Sequence, residues 1–579
     1  MRYPIKRSLP AQAGVTLMDA LVASAVMLLV FVGIAGAFKL SIDAVLNNKA
    51  RAGAVALADE RMEYTHSLTY DAVGTVGGIP SGMIAQSETI SLNGITYIRR
   101  TTVKYEDDPK DGLGINDVNN VVEDYKSIKV DVSWVSRSGA RDIVLVARIS
   151  PAAGIESLVP GGTLIINSID AQGQPLAGAS LAITNASTSP AISINTFTNA
   201  SGTAMIYGAP GAIGYHIVVT KPGYSTAQTY AATAQNTSPD PGNLTVVNYQ
   251  ITSSTFGIDV LASKAINTWT QILTGAWTDS FADSTKVATS SNISVSGGSA
   301  TLSEPAPYPT DGTIRSIAIE PSYLAAWQTL TIDDTTPAST SILYHLYDGG
   351  GENLIPDTQL PGNAAGFASG TIDISGVSTS TYPAIRIGAL FNTTDASSTP
   401  ALNSWSANFT YGPQPLGNIA FNLQGAKTIG TGVHKYDANL STGSAGTLFV
   451  PNLEWDTYTI SVGGATGYDI ASACNPQPES LDPGASQTTN LYLTAHSNHS
   501  LLVDVRSAND NSLVTNANVT LSRTGFSATS ATDACGQSFF KNVENESDYV
   551  INVTAAGHTP YSISNIDVSG TTRFSVPLN

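Results

Sequence analysis

From Val15 to Phe38 the chain carries a single charged residue, Asp19. At 1.5 Å per residue that run makes about 36 Å of helix, enough to cross a bilayer. Arg2, Lys6 and Arg7 precede it and would hold that end in the cytoplasm. The pattern continues past Phe38. Ile42, Val45, Leu46, Ala52 and Ala56 extend an apolar stripe at helical spacing, with Asp43, Lys49, Arg51, Asp59, Glu60 and Arg61 between them. No proline interrupts Val15 to Leu68. The spacing therefore predicts one helix of about fifty residues, roughly 80 Å long. Its first half is apolar all round and its second half is amphipathic.

The residues at the start of this helix are Ala13-Gly14-Val15-Thr16-Leu17-Met18-Asp19, behind the basic leader. A basic leader ending in glycine, then an apolar run with an acid at its fifth residue, resembles the type IV prepilin signal. The resemblance implies that a prepilin peptidase cuts after Gly14 and that Val15 becomes an N-methylated amino terminus. It implies insertion in the cytoplasmic membrane, then transfer to a cell-surface filament with other pilin subunits as partners. The family's acid is glutamate and the residue after the cut is more often phenylalanine. Asp19 and Val15 depart from both, in the manner of minor pilins and pseudopilins. A carboxylate at mid-membrane costs on the order of 2.5–3.5 kcal/mol, and less near an end. Asp19 lies one turn from the amine that cleavage creates and can pair with it or with a neighbour's. Two other readings compete: an ordinary secretory signal ending at Ala35-Gly36-Ala37, and a plain membrane anchor.

Beyond the helix, strand-like runs cover Glu88 to Leu92, Ile95 to Tyr105, Tyr125 to Val135 and Asp142 to Ile149. Asn93-Gly94 is a hairpin signal between the first two. Four short strands after a long helix resemble the pilin plan, a small antiparallel sheet beneath the amphipathic half. The loop from Asp107 to Asp124 concentrates acids. Asp107, Asp108, Asp111, Asp117 and Glu123 could offer oxygens to calcium. They lack the helix–loop–helix ligand spacing, and a solvated acidic turn is the preferred reading.

The distal region reads differently. Only 12% of the whole chain is charged, and 51 Gly and 29 Pro mark frequent turns. That composition points to short strands in sandwiches. Three stretches share one template. Thr198 with Gly202 is followed by Tyr215, Ile217, Val219, Gly223 and Tyr224. Thr442 with Gly446 is followed by Tyr458, Ile460, Val462, Gly467 and Tyr468. Thr532 with Gly536 is followed by Tyr549, Ile551, Val553, Gly557 and His558. Strand-like runs stand ahead of each: Thr163 to Ile169, Asn418 to Leu423 and Leu501 to Arg506. The copies resemble carboxypeptidase regulatory-like modules, a transthyretin-type β-sandwich that serves as a stiff spacer or binding module.

A block from about Ser253 to Gly412 separates the first two copies. It holds Trp269, Trp277, Trp327 and Trp405, and its length suggests a jelly-roll-like sandwich. Its tryptophans are read as core rather than as platforms for sugar rings. The expected fold is mainly β: a long N-terminal α-helix with a small antiparallel pilin sheet, then Ig- or transthyretin-like sandwiches and one jelly-roll-like sandwich. The expected boundaries are 1–14 leader, 15–68 helix, 69–151 pilin sheet, 152–252 first sandwich, 253–413 jelly-roll-like block, 414–497 second sandwich and 498–579 third.

Cys474 and Cys535 can close one disulfide in an exported protein or remain two separate thiols. His496 and His499 fall between two modules and show no acidic partner nearby in sequence. No Gly-x-Ser-x-Gly, Gly-Lys-Ser/Thr or His-Glu-x-x-His motif occurs, so no catalytic site is expected. The net charge of −18, with few basic residues after Pro151, excludes a nucleic-acid footprint. The functional expectation is a minor type IV pilin, or pilin-like subunit, that displays its modules for adhesion or for contact with a surface or glycan ligand. The alternatives are a membrane-anchored surface carbohydrate-binding protein and a secretion-system pseudopilin.

Overall fold

In the computed structural model the described residues are 16–112, 118, 121, 123–136, 139–151 and 160–579. They are mainly β, with one long helix and many antiparallel sheets. The chain forms two compact units. The first runs to Val260 and includes Ile429–Val433; the second holds Leu261–Thr428 and His434–Asn579.

Helix α1 spans Leu17–His66, fifty residues without a break. Its buried residues are Ala50, Ala54, Leu57, Ala58, Arg61 and Thr65, one stripe at helical spacing. The stripe lies on a four-stranded antiparallel sheet in sequential order: β1 (Ser87–Leu92), β2 (Ile95–Glu106), β3 (Tyr125–Ser136) and β4 (Gly139–Ile149). The β1–β2 hairpin turns on Asn93 and Gly94, both at positive φ, as its two-residue loop requires. Along β3, Ile128, Val130, Val132 and Trp134 alternate inward to meet the helix. In the same unit, Ile79 and Tyr105 pack against the core of the first sandwich, and Ser193 N donates to Gly77 O at 2.7 Å.

Each of the three repeat copies is a two-sheet sandwich with the same strand plan. In the first, Gly162–Ile169 pairs antiparallel with Thr203–Ala209 and parallel with Ile251–Gly257. In the third, Ser500–Ser507 pairs antiparallel with Gln537–Lys541 and parallel with Thr571–Leu578. In the second, the strand in that position is Ala262–Thr270, between Thr447–Leu453 and Ser486–Ala495. This corrects two expected boundaries. Ile251–Gly257 closes the first sandwich and Ala262–Thr270 opens the second, so neither belongs to the middle block. Trp269, on Ala262–Thr270, lies in the second sandwich. Asn418 to Leu423 falls on the second copy's second strand, Ala420–Gly425, not its first. Between Thr270 and Gln414 the chain leaves the second sandwich and returns to it. Thr270 N donates to Gln414 O at 2.9 Å, and Gln414 N donates to Thr270 Oγ1 at 3.0 Å.

The excursion is itself a sandwich of two antiparallel sheets, with Trp327, Trp405, Phe281, Tyr344 and Phe391 fully buried between them. Trp327 Nε1 donates to Tyr382 O at 3.0 Å. Trp327 and Trp405 are therefore core, and Trp277 packs at the edge of that core.

The Thr-x-x-x-Gly signature is a clamp. Gly202, Gly446 and Gly536 adopt φ of 70°, 73° and 67°, and their carbonyls accept from Ser168, Thr268 and Val505 of the opening strands at 2.8, 2.8 and 2.9 Å. Thr198 Oγ1 accepts from Ala179 N at 2.9 Å and donates to Leu176 O at 2.7 Å. Thr532 Oγ1 repeats this with Ala517 N and Val514 O at 2.9 and 2.7 Å. Thr442 accepts from Ile419 N at 3.1 Å, while Thr268 supplies the bond to Leu416 O at 2.6 Å. The template tyrosines act alike. Tyr215, Tyr458 and Tyr549 are buried, and their hydroxyls donate to Pro210 O, Glu454 O and Glu544 O at 2.6, 2.9 and 3.1 Å. Burial pushes the Tyr215 phenol up to about 12. Replacing Thr532 by Val strands a buried N–H and C=O and is expected to cost the third sandwich about 1–3 kcal/mol. Thr529→Val, on an exposed strand, is expected to stay within about 0.5 kcal/mol. Urea unfolding of the two variants checks the difference.

Candidate functional site

The described residue that begins the helix signal is Thr16; Gly14 and Val15 lie outside the described residues. Thr16 is the N-cap of α1 and Asp19 closes a capping box with it. Asp19 N donates to Thr16 Oγ1 at 3.3 Å, and the Asp19 carboxylate accepts from Thr16 N and Oγ1 at 3.1 and 2.7 Å. Asp19 thus sits in the first turn, where a negative charge complements the helix dipole.

From Leu17 to Leu46 the helix presents large apolar side chains on every face, and all of them are exposed. Leu17 is 82% exposed and Phe38 67%. This half is about 45 Å long and is apolar and long enough to cross a membrane by length and composition. The second half is fixed to the sheet by a different chemistry. Gly53 lets the helix approach closely: a Cβ there would stand 2.6 Å from Tyr97 Oη. Tyr97 Oη donates to Ala50 O at 2.9 Å. Arg99 donates to Leu57 O at 3.0 Å and to Glu88 at 3.0 and 3.1 Å, and Arg61 also pairs with Glu88. Burial raises the Glu88 carboxyl, but Arg99 and Arg61 outweigh it and hold it below the usual range. Sequence reading passed over this cluster, because charged residues at alternate strand positions look like a solvated face.

Lys126 was also missed. It is buried, and its ammonium donates to Tyr70 O and Val73 O at 2.7 and 2.8 Å, beyond the end of α1. The Tyr70 ring lies 4.5 Å from it and the Tyr105 ring 5.4 Å. Burial pushes Lys126 down to about 8, against the pull of Asp71. The folded pKa is thus below the unfolded value of 10.5. Between those two values the unfolded chain keeps a proton that the folded chain has released, so stability rises with pH across that window. Below the window both states hold the proton and the slope vanishes. Thermal unfolding of the wild type is expected to gain on Lys126→Met from about pH 8 to pH 10; parallel curves would show that Lys126 titrates normally.

In the acidic loop, Asp107, Glu123 and Asp124 are buried rather than solvated, which corrects the expected exposed turn. Asp124 accepts from Asp108 N, and Asp108 accepts from Lys110 N at 3.2 Å. Asp117 lies outside the described residues. Among the described residues no group of three or more His, Cys, Asp or Glu is placed to hold a metal ion. His496 does have an acidic partner: its Nδ1 lies 2.7 Å from Asp469 Oδ1, and Ser497 N donates to the same carboxylate at 2.8 Å. Asp469 is 27 residues upstream, too far in sequence for local spacing to pair it with His496.

Cys474 and Cys535 are joined as a disulfide, with Cα atoms 4.8 Å apart. The bond ties the second sandwich to the third. Ala473 N donates to Gln537 Oε1 at 2.6 Å beside it, and Leu502 and Phe539 of the third sandwich pack into the second one's core.

No protein-family model matches the chain, and no curated protein matches it. Solved structures do. The TIE protein of Bacillus anthracis is 10% identical, covering 85% of this chain and 73% of that one, with a TM-score of 0.15. BcpA, the major pilin subunit of Bacillus cereus, is 9% identical over 72% and 99%, with a TM-score of 0.13. The full-length major pilin SpaD of Corynebacterium diphtheriae is 12% identical over 72% and 97%, also at 0.13. TM-scores this low mean that the chains do not superpose as wholes, and nothing about partners or activity follows from them.

Proposed function

We propose that this chain is a minor type IV pilin or pilin-like subunit. Prepilin peptidase cuts between Gly14 and Val15, the exposed half of α1 rests in the cytoplasmic membrane, and assembly moves it among the helices of other pilin subunits. The β-sandwiches are then displayed at the cell surface for adhesion or surface contact. One observation carries the reading: a single helix whose large apolar side chains are all uncovered up to Leu46, with only Asp19, Lys39 and Asp43 charged among them, then switches to a stripe that is buried on its own sheet from Ala50. A plain anchor needs only the first half. A helix that continues unbroken into a packed domain fixes that domain's distance from the apolar layer, which a filament requires of every subunit. In that layer Asp19 pairs with the new amine at Val15 or with a neighbour's, and so sets register.

The test uses Asp19→Asn expressed in the native host. The variant is expected to be cleaved normally yet lost from the filaments sheared off the cell surface, while the wild type is recovered there. A wild-type protein absent from sheared filaments overturns the reading; an Asp19→Asn protein that assembles as the wild type does removes the role of Asp19.

A further inference from the structure

The three repeat sandwiches share a property that their sequence signature does not announce. In each, the first and last strands are neighbours and run parallel. Gly162–Ile169 and Ile251–Gly257 are in register over seven pairs, Ala262–Thr270 and Ser486–Ala495 over eight, and Ser500–Ser507 and Thr571–Leu578 over eight. Parallel neighbours send the entering and leaving chain out at opposite ends of the sandwich. A pull on those ends therefore acts along the strands, across hydrogen bonds that lie between them. All seven or eight rungs share the load and must fail together.

The inserted sandwich is built the opposite way. Its terminal strands, Leu273–Asp279 and Ala401–Tyr411, are antiparallel, and the outermost rung is Leu273 against Tyr411. A pull on its two ends would open the rungs one at a time. Yet those ends are never pulled apart while the second sandwich stands, because both are rooted in it side by side at Thr270 and Gln414. Force entering at Ala262 crosses directly to Ser486–Ala495 and leaves toward Ser500, sharing the load with the Cys474–Cys535 bond until it is reduced. The insertion hangs beside that path.

We propose that the repeat sandwiches bear tension applied along the chain and that the 273–411 sandwich is a head held off the line of force between the chain's two ends. The proposal deepens the filament reading, since a subunit that makes its surface contact through the third sandwich is pulled between its filament and what it touches. The disulfide adds a second device. Cys474 and Cys535 are 61 residues apart in sequence, and the loop they close contains the last strand of the second sandwich and the first of the third. Even after rupture that loop stays out of the extended chain.

The experiment is single-molecule stretching of the full chain in detergent, with handles at its two termini. The head, about 140 residues, releases roughly 50 nm of chain at 3.3–3.6 Å per residue. That step is expected only after the second sandwich has failed, and to follow it at once. A reductant is expected to lengthen the fully extended chain by roughly 20 nm. With one handle moved to the exposed Gly297-Gly298 turn of the head, the order is expected to reverse, the head opening first and at lower force. A head that opens before the second sandwich when the termini are pulled overturns the proposal, as does a head equally resistant from either attachment. Neither result depends on cleavage at Gly14, so the filament reading stands or falls separately on the processed amino terminus.

Discussion

Replacing Lys264 by Met is expected to destabilise the second sandwich by about 3–5 kcal/mol, the cost of leaving a buried charge without its partner. Lys264 lies on the opening strand and is fully buried; Glu479, its ion-pair partner, is buried with it. Lys264 Nζ also donates to Gln487 Oε1 at 2.9 Å. Glu479 accepts further from Thr489 Oγ1 at 2.7 Å and from Gln477 Nε2 at 3.2 Å. Burial lowers the Lys264 pKa, and the bond and charge of Glu479 oppose it. The pair therefore contributes less net stability than its removal costs. The double variant Lys264→Met/Glu479→Leu, with both charges gone, is expected to recover most of the loss. Calorimetric unfolding of the two variants decides it: a double variant as unstable as the single one would mean that packing, not the orphaned carboxylate, sets the cost.

The second large effect is expected from Cys474→Ala/Cys535→Ala. Opening a 61-residue loop frees about 4 kcal/mol of unfolded-chain entropy in the loop-closure treatment. What remains at the junction is the Ala473–Gln537 hydrogen bond and the packing of Leu502 and Phe539. In the oxidised wild type the second and third sandwiches are expected to melt as one transition. The variant, or the reduced wild type, is expected to melt earlier and in two transitions. An unchanged single transition would show that the apolar junction alone couples the two sandwiches.

The parts of this fold legible in the sequence are those whose signal is local. Helix α1 announces itself through fifty residues of unbroken helical spacing, and Asn93-Gly94 through its turn chemistry. The Thr-x-x-x-Gly and Tyr-x-Ile-x-Val runs mark the sandwiches, because a buried hydroxyl clamp and a buried tyrosine each need fixed neighbours. The opening strand of the second copy escaped, since about 150 residues stand between it and the next strand of its own sandwich, Ala420–Gly425. A signal was present: Ala262, Lys264, Ile266 and Thr268 alternate as the opening strands of the other copies do, and Lys264 on that inward face disguised the pattern. Sequence spacing could not place Asp469 beside His496, which the register of Tyr468–Cys474 against Ser486–Ala495 brings together, nor Cys474 within reach of Cys535, which the packing of the third sandwich on the second brings together.

The proposed cut after Gly14 would leave Val15 as the new amino terminus, two residues ahead of the start of α1 at Leu17, so the most direct measurement is the mass and amino-terminal peptide of the protein recovered from its native envelope. The account predicts a chain that starts at Val15, with its amine methylated or free. A chain that starts at Met1, or at Phe38 after an ordinary signal cut, would contradict it and leave an array of β-sandwiches without a place in a filament.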